Sequence, residues 1–191
     1  MNNEMERWER EKGIVFLRKI GIRTGQTVLD FGARSGHYTI PAALIVGNSG
    51  LVYAVDKEKE ALAELKEKTI TLDLHNIKTI RTSGKAKLHL GDESIDVILL
   101  YDVLHYLNKI ERKSLYEEIF RILRYTGFLS VYPKHVLNDM PMGELKELTL
   151  NDVKIEIQNS GFFFTKKLCD EISHNNGLNQ GCILNFKRVK E

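Results

Sequence analysis

Residues 28–40 run Val28-Leu29-Asp30-Phe31-Gly32-Ala33-Arg34-Ser35-Gly36-His37-Tyr38-Thr39-Ile40. An apolar strand ends on an acid, turns through two glycines and enters a helix. Such a turn lets backbone N–H groups and a helix N-terminus approach a polar ligand with no side chain in the way. A second apolar run, 51–55, closes on Asp56. An acid at the tip of a second strand is placed to accept hydrogen bonds from ribose hydroxyls. Together the two segments point to a cofactor that contains a nucleoside.

Outward from this turn, strand and helix signals alternate. Apolar, β-branched runs stand at 27–31, 51–55, 77–81, 95–101 and 128–132, separated by helical patterns over 38–46, 57–74 and 110–123. In 57–74 the positions Ala61, Leu62, Leu65 and Leu72 recur at helical spacing, with Glu64 and Lys68 as an i,i+4 pair. In 110–123 Leu115, Ile119, Ile122 and Leu123 form one stripe, and Gly127 follows as a turn residue. The alternation predicts a parallel sheet covered by helices. Near the C-terminus the pattern changes. A helix over 151–159, begun by Thr149, ends at Gly161, and two strands (162–169 and 182–189) flank a polar loop, 170–181. No helix fits that loop, so the two strands pair antiparallel. The predicted fold is α/β, a Rossmann-like seven-stranded sheet, mostly parallel with an antiparallel last strand and helices on both faces. Residues 1–20 form a helix with Met5, Trp8, Val15 and Phe16 on one side, weakened by Gly13. It packs against the domain or serves as a lid.

A chain of 191 residues fits one domain, 1–191. Its 28 basic and 26 acidic residues are spread along the chain, for a net charge of +2. No concentrated basic patch marks a nucleic-acid partner. Cys169 and Cys182 form no CxxC pair, and with six scattered histidines they match no metal-ligand spacing, so no metal is expected. Buried free thiols in a reducing compartment are the first reading of the cysteines, and a cross-strand contact between them is the alternative. No run is long enough to span a membrane, and the charged start MNNEMERWEREK is no signal peptide, which predicts a cytoplasmic protein.

In an open α/β sheet, ligands bind outside the carboxyl ends of the strands, where the strand order reverses. The segments available there are 32–36, 56–57, 82–85, 101–106, 133–138 and the 170–181 loop. On these segments the chain resembles the class I S-adenosylmethionine (SAM)-dependent methyltransferases of the small-molecule type, similar to those of ubiquinone and menaquinone biosynthesis. VLDFGARSG stands where that family has an acid and a glycine turn, and LVYAVDKEKEAL matches its second-strand motif. DESIDVILLYDVLHYL matches the fourth strand and active-site loop, and RILRYTGFLSVYPK resembles the helix–turn–strand that follows. The detailed likeness covers 21–131.

The resemblance implies SAM as cofactor and methyl transfer to a small-molecule acceptor. It gives Asp30 the methionine amino group, held directly or through water. Gly32, Ala33 and Gly36 let the backbone approach the cofactor, and Tyr38 flanks its methionine end. Asp56, with Lys57 beside it, takes the ribose. Ser83 and Gly84 lie at the adenine, and Tyr101 and Asp102 face the sulfonium region. No universal catalytic residue comes with the family. Asp102, alternatively a helix N-cap, and His105, alternatively a packing residue, are the candidates. Two departures stand out. Arg34 replaces the family's second glycine, where a β-carbon clashes or demands an unfavourable φ, the guanidinium reaches the SAM carboxylate, or the side chain points to solvent. Thr82-Ser83-Gly84-Lys85 stands where the family often has an acid for the adenine amino group. They motivate a second reading, a methyltransferase-like SAM or nucleoside-binding domain without turnover. A third, a nicotinamide dehydrogenase, needs a GxGxxG turn that is not here. The NPPY or DPPY signature of base-methylating enzymes is also missing after the fourth strand. The oligomeric state stays open.

Overall fold

The apolar runs become strands β1 (Thr27–Phe31), β2 (Leu51–Asp56), β3 (Ile77–Arg81), β4 (Ile95–Tyr101), β5 (Leu123–Tyr132), β6 (Phe162–His174) and β7 (Gly177–Arg188). In the computed structural model, which describes residues 3–83 and 87–189, they form one seven-stranded sheet in the order β3-β2-β1-β4-β5-β7-β6. The described residues divide into two compact units, 3–83 with 169–181 and 87–168 with 182–189.

In the first unit β1, β2 and β3 pair in parallel, with Val28 opposite Val52 and Ala54 opposite Thr79. Helices α1 (Asn3–Arg7), α2 (Gly13–Ile20), α3 (Thr39–Val46) and α4 (Lys59–Thr71) accompany them. Ala33, Ile40, Ala54, Leu62 and Leu65 make a buried cluster, so the helical stripe read over 57–74 does face a core. The helix itself stops at Thr71, and Leu72 caps it. A π-helical turn, Trp8–Lys12, joins α1 to α2, and its larger number of residues per turn changes the phase of the helix face. Met5, Trp8, Phe16, Leu17 and Ile20 are buried as a result. Val15, expected on the same stripe, is turned outward. Gly13 does not end the helix. A β-carbon there would lie 2.7 Å from the Trp8 carbonyl oxygen, so glycine is what admits the wide turn. The 170–181 segment is not a loop either. β6 runs on to His174 and β7 starts at Gly177, leaving Asn175 and Asn176 at φ 54° and 49° as a two-residue turn. Both central residues at positive φ suit the twist of a hairpin, and asparagine tolerates that conformation.

In the second unit β4 runs parallel to β5, from Val97 opposite Phe128 to Tyr101 opposite Tyr132. The reversed strand is β7, the last in the chain, which pairs antiparallel with β5 through Leu129 opposite Phe186. Helix α5 (Lys109–Ile122) starts at a capping box of Asn108 and Glu111 and buries Leu115, Ile119 and Ile122. Helix α6 (Leu150–Gln158) is capped by Thr149, as its sequence suggests. β5 begins directly at Leu123, ahead of the expected residue 128. Its register with β4 shifts between Ile95 and Val97. Gly127 therefore sits inside a strand beside this irregularity and is not a turn residue. A β-carbon on it would stand 2.5 Å from the Asp96 carbonyl oxygen.

Cys169 and Cys182 are disulfide-bonded, against the first reading of free thiols. That reading treated the residues between them as a loop, whereas they are the turn and flanks of a hairpin. Among the described residues no helix is long and apolar enough to cross a membrane.

Because the atom facing Gly127 is backbone and cannot swing away, Gly127→Ala is expected to cost about 1–3 kcal/mol of stability. Urea unfolding reads this as a lower midpoint with an unchanged slope, and an unshifted midpoint would contradict the packing described.

Candidate functional site

After β1 the chain takes positive φ three times in five residues, at Gly32 (85°), Arg34 (45°) and Gly36 (94°). The N–H groups along this path have defined acceptors. Those of Gly32 and Ala33 donate to the Val55 carbonyl (2.8 and 3.0 Å), and that of Gly36 donates to the Ala33 carbonyl (2.9 Å). The Arg34 N–H donates to Asp56 Oδ2 at 2.7 Å. A pyrophosphate cradle needs such donors free. Here those of Gly32, Ala33, Arg34 and Gly36 are spent, which weakens the case for a dinucleotide site at this turn. Arg34 adopts the left-handed conformation a glycine would take, and its Nη1 stands 3.4 Å from Asn175 Oδ1 at the hairpin tip. Gly36 has a packing reason as well, since a β-carbon would lie 2.4 Å from Leu65 Cδ1.

Two buried carboxylates flank this turn, at β1 and at the tip of β2. Asp56 accepts from Arg34 and, through Oδ1, from the Glu58 N–H at 2.9 Å. A carboxylate has about four lone-pair sites, so capacity remains for a diol. Asp30 Oδ2 accepts from the Thr39 hydroxyl at 2.6 Å. Burial pushes the Asp30 carboxyl up to about 7, the Thr39 hydrogen bond opposes this, and the charge of Asp56 adds to it. Near neutral pH Asp30 is thus poised to ionise against an incoming cation.

Around the turn lies a polar network that the sequence pattern did not reveal. Lys68 Nζ donates to Glu9 Oε1 (2.8 Å) and to the Ser35 carbonyl (3.1 Å). Burial raises the Glu9 carboxyl, with Lys68 pulling the other way. His37 contacts Ser173 Oγ through Nδ1 (3.2 Å) and Ser35 Oγ through Nε2 (3.4 Å). Burial, then Lys68 and Arg34, pull His37 down to about 4, so it is neutral at pH 7. Trp8 Nε1 donates to the His37 carbonyl at 2.8 Å. The Tyr38 hydroxyl donates to the Ser173 carbonyl at 2.6 Å, and its ring meets Trp8 edge-on at 5.6 Å. Lys68 was visible only as the i,i+4 partner of Glu64, which it does approach at 3.6 Å. Of the remaining expected residues, Lys57 extends into solvent with Nζ 3.8 Å from Glu58 Oε1. Ser83 is exposed, and Gly84 lies outside the described residues.

In the second unit Tyr101 is buried, with its hydroxyl 2.7 Å from Ser130 Oγ. Asp102 follows at φ 55° and donates its N–H to the Tyr132 carbonyl at 3.0 Å. It does not cap a helix: the short 3-10 turn Leu104–Tyr106 begins after Val103. Asp102 Oδ1 lies 3.4 Å from His105 Nδ1 and 3.5 Å from His135 Nε2. His105 is buried, its ring 3.8 Å from that of Tyr106 and 4.5 Å from that of His135. His135 Nδ1 stands 2.8 Å from the Met140 carbonyl, which can only accept, so Nδ1 carries the hydrogen. His135 belongs to no motif and is found only by folding the irregular 133–142 segment back on the strand ends.

The profile of the methyltransferase domain family matches residues 28–127, just over half of the chain, and the chain belongs to that family. The match begins at the turn described above and ends at Gly127. It is 34% identical over 100 residues to a probable cobalt-precorrin-6B C(15)-methyltransferase (decarboxylating) of Saccharolobus solfataricus, covering 52% of this chain and 50% of that protein. It is 30% identical over 112 residues to the ubiquinone/menaquinone biosynthesis C-methyltransferase UbiE of Citrobacter koseri, covering 58% of this chain and 43% of that one. The chain thus spans about half the length of the curated relatives it matches. In fold it is similar to a SAM-dependent methyltransferase from Aquifex aeolicus, with a TM-score of 0.77 at 23% identity over 96% of this chain and 93% of that one.

The Asp30 carboxyl keeps its proton up to about 7 when folded, against an ordinary value of 3.8. The folded state therefore binds the extra proton between those values, and stability from this group is lost as pH rises from about 4 to 7. Asp30→Asn removes that loss. It is expected to raise Tm by roughly 5–10 °C at pH 8 and by little at pH 4.5. Thermal unfolding at the two pH values checks this, and parallel pH profiles for both proteins would contradict it.

Proposed function

We propose that this chain is a SAM-dependent methyltransferase that binds its cofactor at the turn after β1 and the tip of β2 and methylates a small-molecule acceptor. The observation that carries the reading is the pair of buried carboxylates, Asp30 and Asp56, beside a turn in which the N–H groups of Gly32, Ala33, Arg34 and Gly36 already have acceptors. Such a site suits a ligand with a cationic end and a diol, and offers little to a phosphate. Asp30 takes the ammonium of the methionine end and Asp56 accepts from the ribose hydroxyls. Gly32, Ala33, Arg34 and Gly36 form the wall that the cofactor lies on, with Tyr38 at the methionine end. Lys57, Ser83 and Gly84 border the nucleoside, Tyr101 faces the sulfonium, and Asp102 and His105 are the candidates for contact with the acceptor.

Bound there, SAM supplies a methyl group whose bond to sulfur breaks, the electron pair staying on sulfur, as a lone pair of the acceptor bonds to the methyl carbon. The residues' main task is to position the two reactants in line, and a base is needed only when the acceptor is a poor nucleophile. The relatives named for precorrin and for ubiquinone and menaquinone support a small-molecule acceptor, and the even charge along the chain supports the lack of a nucleic-acid partner. A single working domain, 1–191, and a cytoplasmic location belong to the same proposal. The disulfide-bonded state of Cys169 and Cys182 is the observation that weighs against the location.

Calorimetry with SAM and with S-adenosylhomocysteine is expected to give micromolar binding, accompanied by a change in the fluorescence of Trp8, the chain's one tryptophan. Asp56→Ala should weaken both ligands at least about tenfold. Arg34→Gly should keep the affinity and gain about 1 kcal/mol of stability by relieving the left-handed backbone. The rival reading, a domain without turnover, is favoured by the arginine in that turn. An inert parent whose binding appears only in Arg34→Gly would establish it.

A further inference from the structure

The tip of the β6–β7 hairpin is braced on the cofactor turn. The Tyr38 hydroxyl donates to the Ser173 carbonyl at 2.6 Å, His37 Nδ1 stands 3.2 Å from Ser173 Oγ, and Arg34 Nη1 stands 3.4 Å from Asn175 Oδ1. Lys19 and Lys12 pair with Asp170 and Glu171, each at 2.7 Å. Ile172, Ser173 and His174 are buried. All of these contacts lie within one compact unit, 3–83 with 169–181, so the hairpin tip and the turn share their restraints.

β6 is an edge strand with β7 as its neighbour, and the pairing of β7 with β5 runs from Leu184 to Phe186. The two-residue turn at Asn175 and Asn176 sets the hairpin register. His174 faces Gly177, and counting back along both strands brings Cys169 opposite Cys182. The disulfide between them therefore joins the foot of the hairpin below its braced tip. Such a bond acts mainly by denying the open chain its freedom. Without it, an edge hairpin that rests on exposed ion pairs opens at a cost below that of global unfolding. Cys169 is exposed and Cys182 half-buried, and exposed disulfides are the ones that thiols reduce readily.

We infer that the Cys169–Cys182 bond is a redox latch on the cofactor site: a dithiol opens it, the hairpin tip loosens, and the turn at Arg34, His37 and Tyr38 loses affinity for the cofactor. The inference rests on the methyltransferase reading above and names a regulation of that same site. A thiolate of the reductant attacks the exposed Cys169 sulfur. The S–S bond breaks with its electron pair on the Cys182 sulfur, which takes up a proton. The second thiol of the reductant then displaces Cys169 as the reductant closes its own disulfide. Two electrons and two protons pass from the dithiol to the protein.

The test uses full-length protein and S-adenosylhomocysteine, with dithiothreitol as the dithiol. Calorimetry is expected to show about tenfold weaker binding to the reduced protein than to the oxidised one, the loss that follows from one hydrogen bond. The double variant Cys169→Ser, Cys182→Ser should bind like the reduced protein with or without dithiothreitol. Linkage requires the reverse effect at equal size. Saturating S-adenosylhomocysteine should raise about tenfold the ratio of reduced to oxidised dithiothreitol at which half of the protein is reduced. Thiol alkylation and mass spectrometry read that ratio. A bond that serves stability alone would move Tm on reduction and leave both quantities unchanged. The wild-type comparison stands alone if the variant does not fold. Equal affinity in the two redox states, or a reduced protein without native circular dichroism at room temperature, would overturn this inference and leave the methyltransferase reading standing on the oxidised protein. No binding in either state overturns the methyltransferase reading, and the latch with it.

Discussion

One side chain organises the candidate cofactor site: the Asp56 carboxylate, which accepts from the backbone of Arg34 on one side and of Glu58 on the other. Those two hydrogen bonds tie the turn after β1 to the tip of β2 and set the path of 32–36. With the Val55 carbonyl taking the N–H groups of Gly32 and Ala33 and the Ala33 carbonyl that of Gly36, four of the donors along the turn are turned inward and leave little to close around phosphate. What remains is a wall of backbone between two acids. The chemistry that such a wall can recognise follows from this constraint more than from the glycines, which here serve conformation and, at Gly36, packing against Leu65.

Asp30 is expensive to keep. A fully buried acid with one hydroxyl donor and another acid nearby weakens the fold at neutral pH. A chain that needed the position only for packing would do better with asparagine or a hydrophobe. The surrounding architecture is consistent with a ligand cation as its partner. The hairpin tip reaches Arg34, His37 and Tyr38 through Asn175 and Ser173. Lys12 and Lys19 on the N-terminal helices pair with Glu171 and Asp170 on the same hairpin, each at 2.7 Å. The turn is thus held by contacts far apart in sequence, as a preformed site requires.

Much of this was legible in the chain. Alternating apolar runs announced the parallel sheet, the C-terminal pair announced the reversed strand, and acids at the ends of 28–30 and 51–56 marked where to look. The errors have local causes. Val15 was put on the buried stripe because a π-helical turn leaves no periodic trace in sequence. The 170–181 segment read as a loop because its residues are polar, whereas an Asn-Asn turn let both strands continue through it, and with it went the expectation of free thiols. Gly127 looked like punctuation because nothing local signals a bulge opposite Asp96. Arg34 offered three outcomes on paper, and the backbone took the strained one because its N–H is held by Asp56. His135 was invisible for a different reason. Its meaning depends on Asp102 and Met140, which only the folded loops bring to it.

The central claim is that Asp30 is kept buried for the cationic end of SAM, and proton release on binding tests it most directly. Calorimetry at pH 6.5 in buffers of different ionisation enthalpy measures the protons exchanged. SAM should expel a large fraction of one proton from Asp30 as its ammonium docks. Methylthioadenosine, the same nucleoside without the amino-acid end, should expel none. Equal proton release by the two ligands, or none by SAM, would contradict the account.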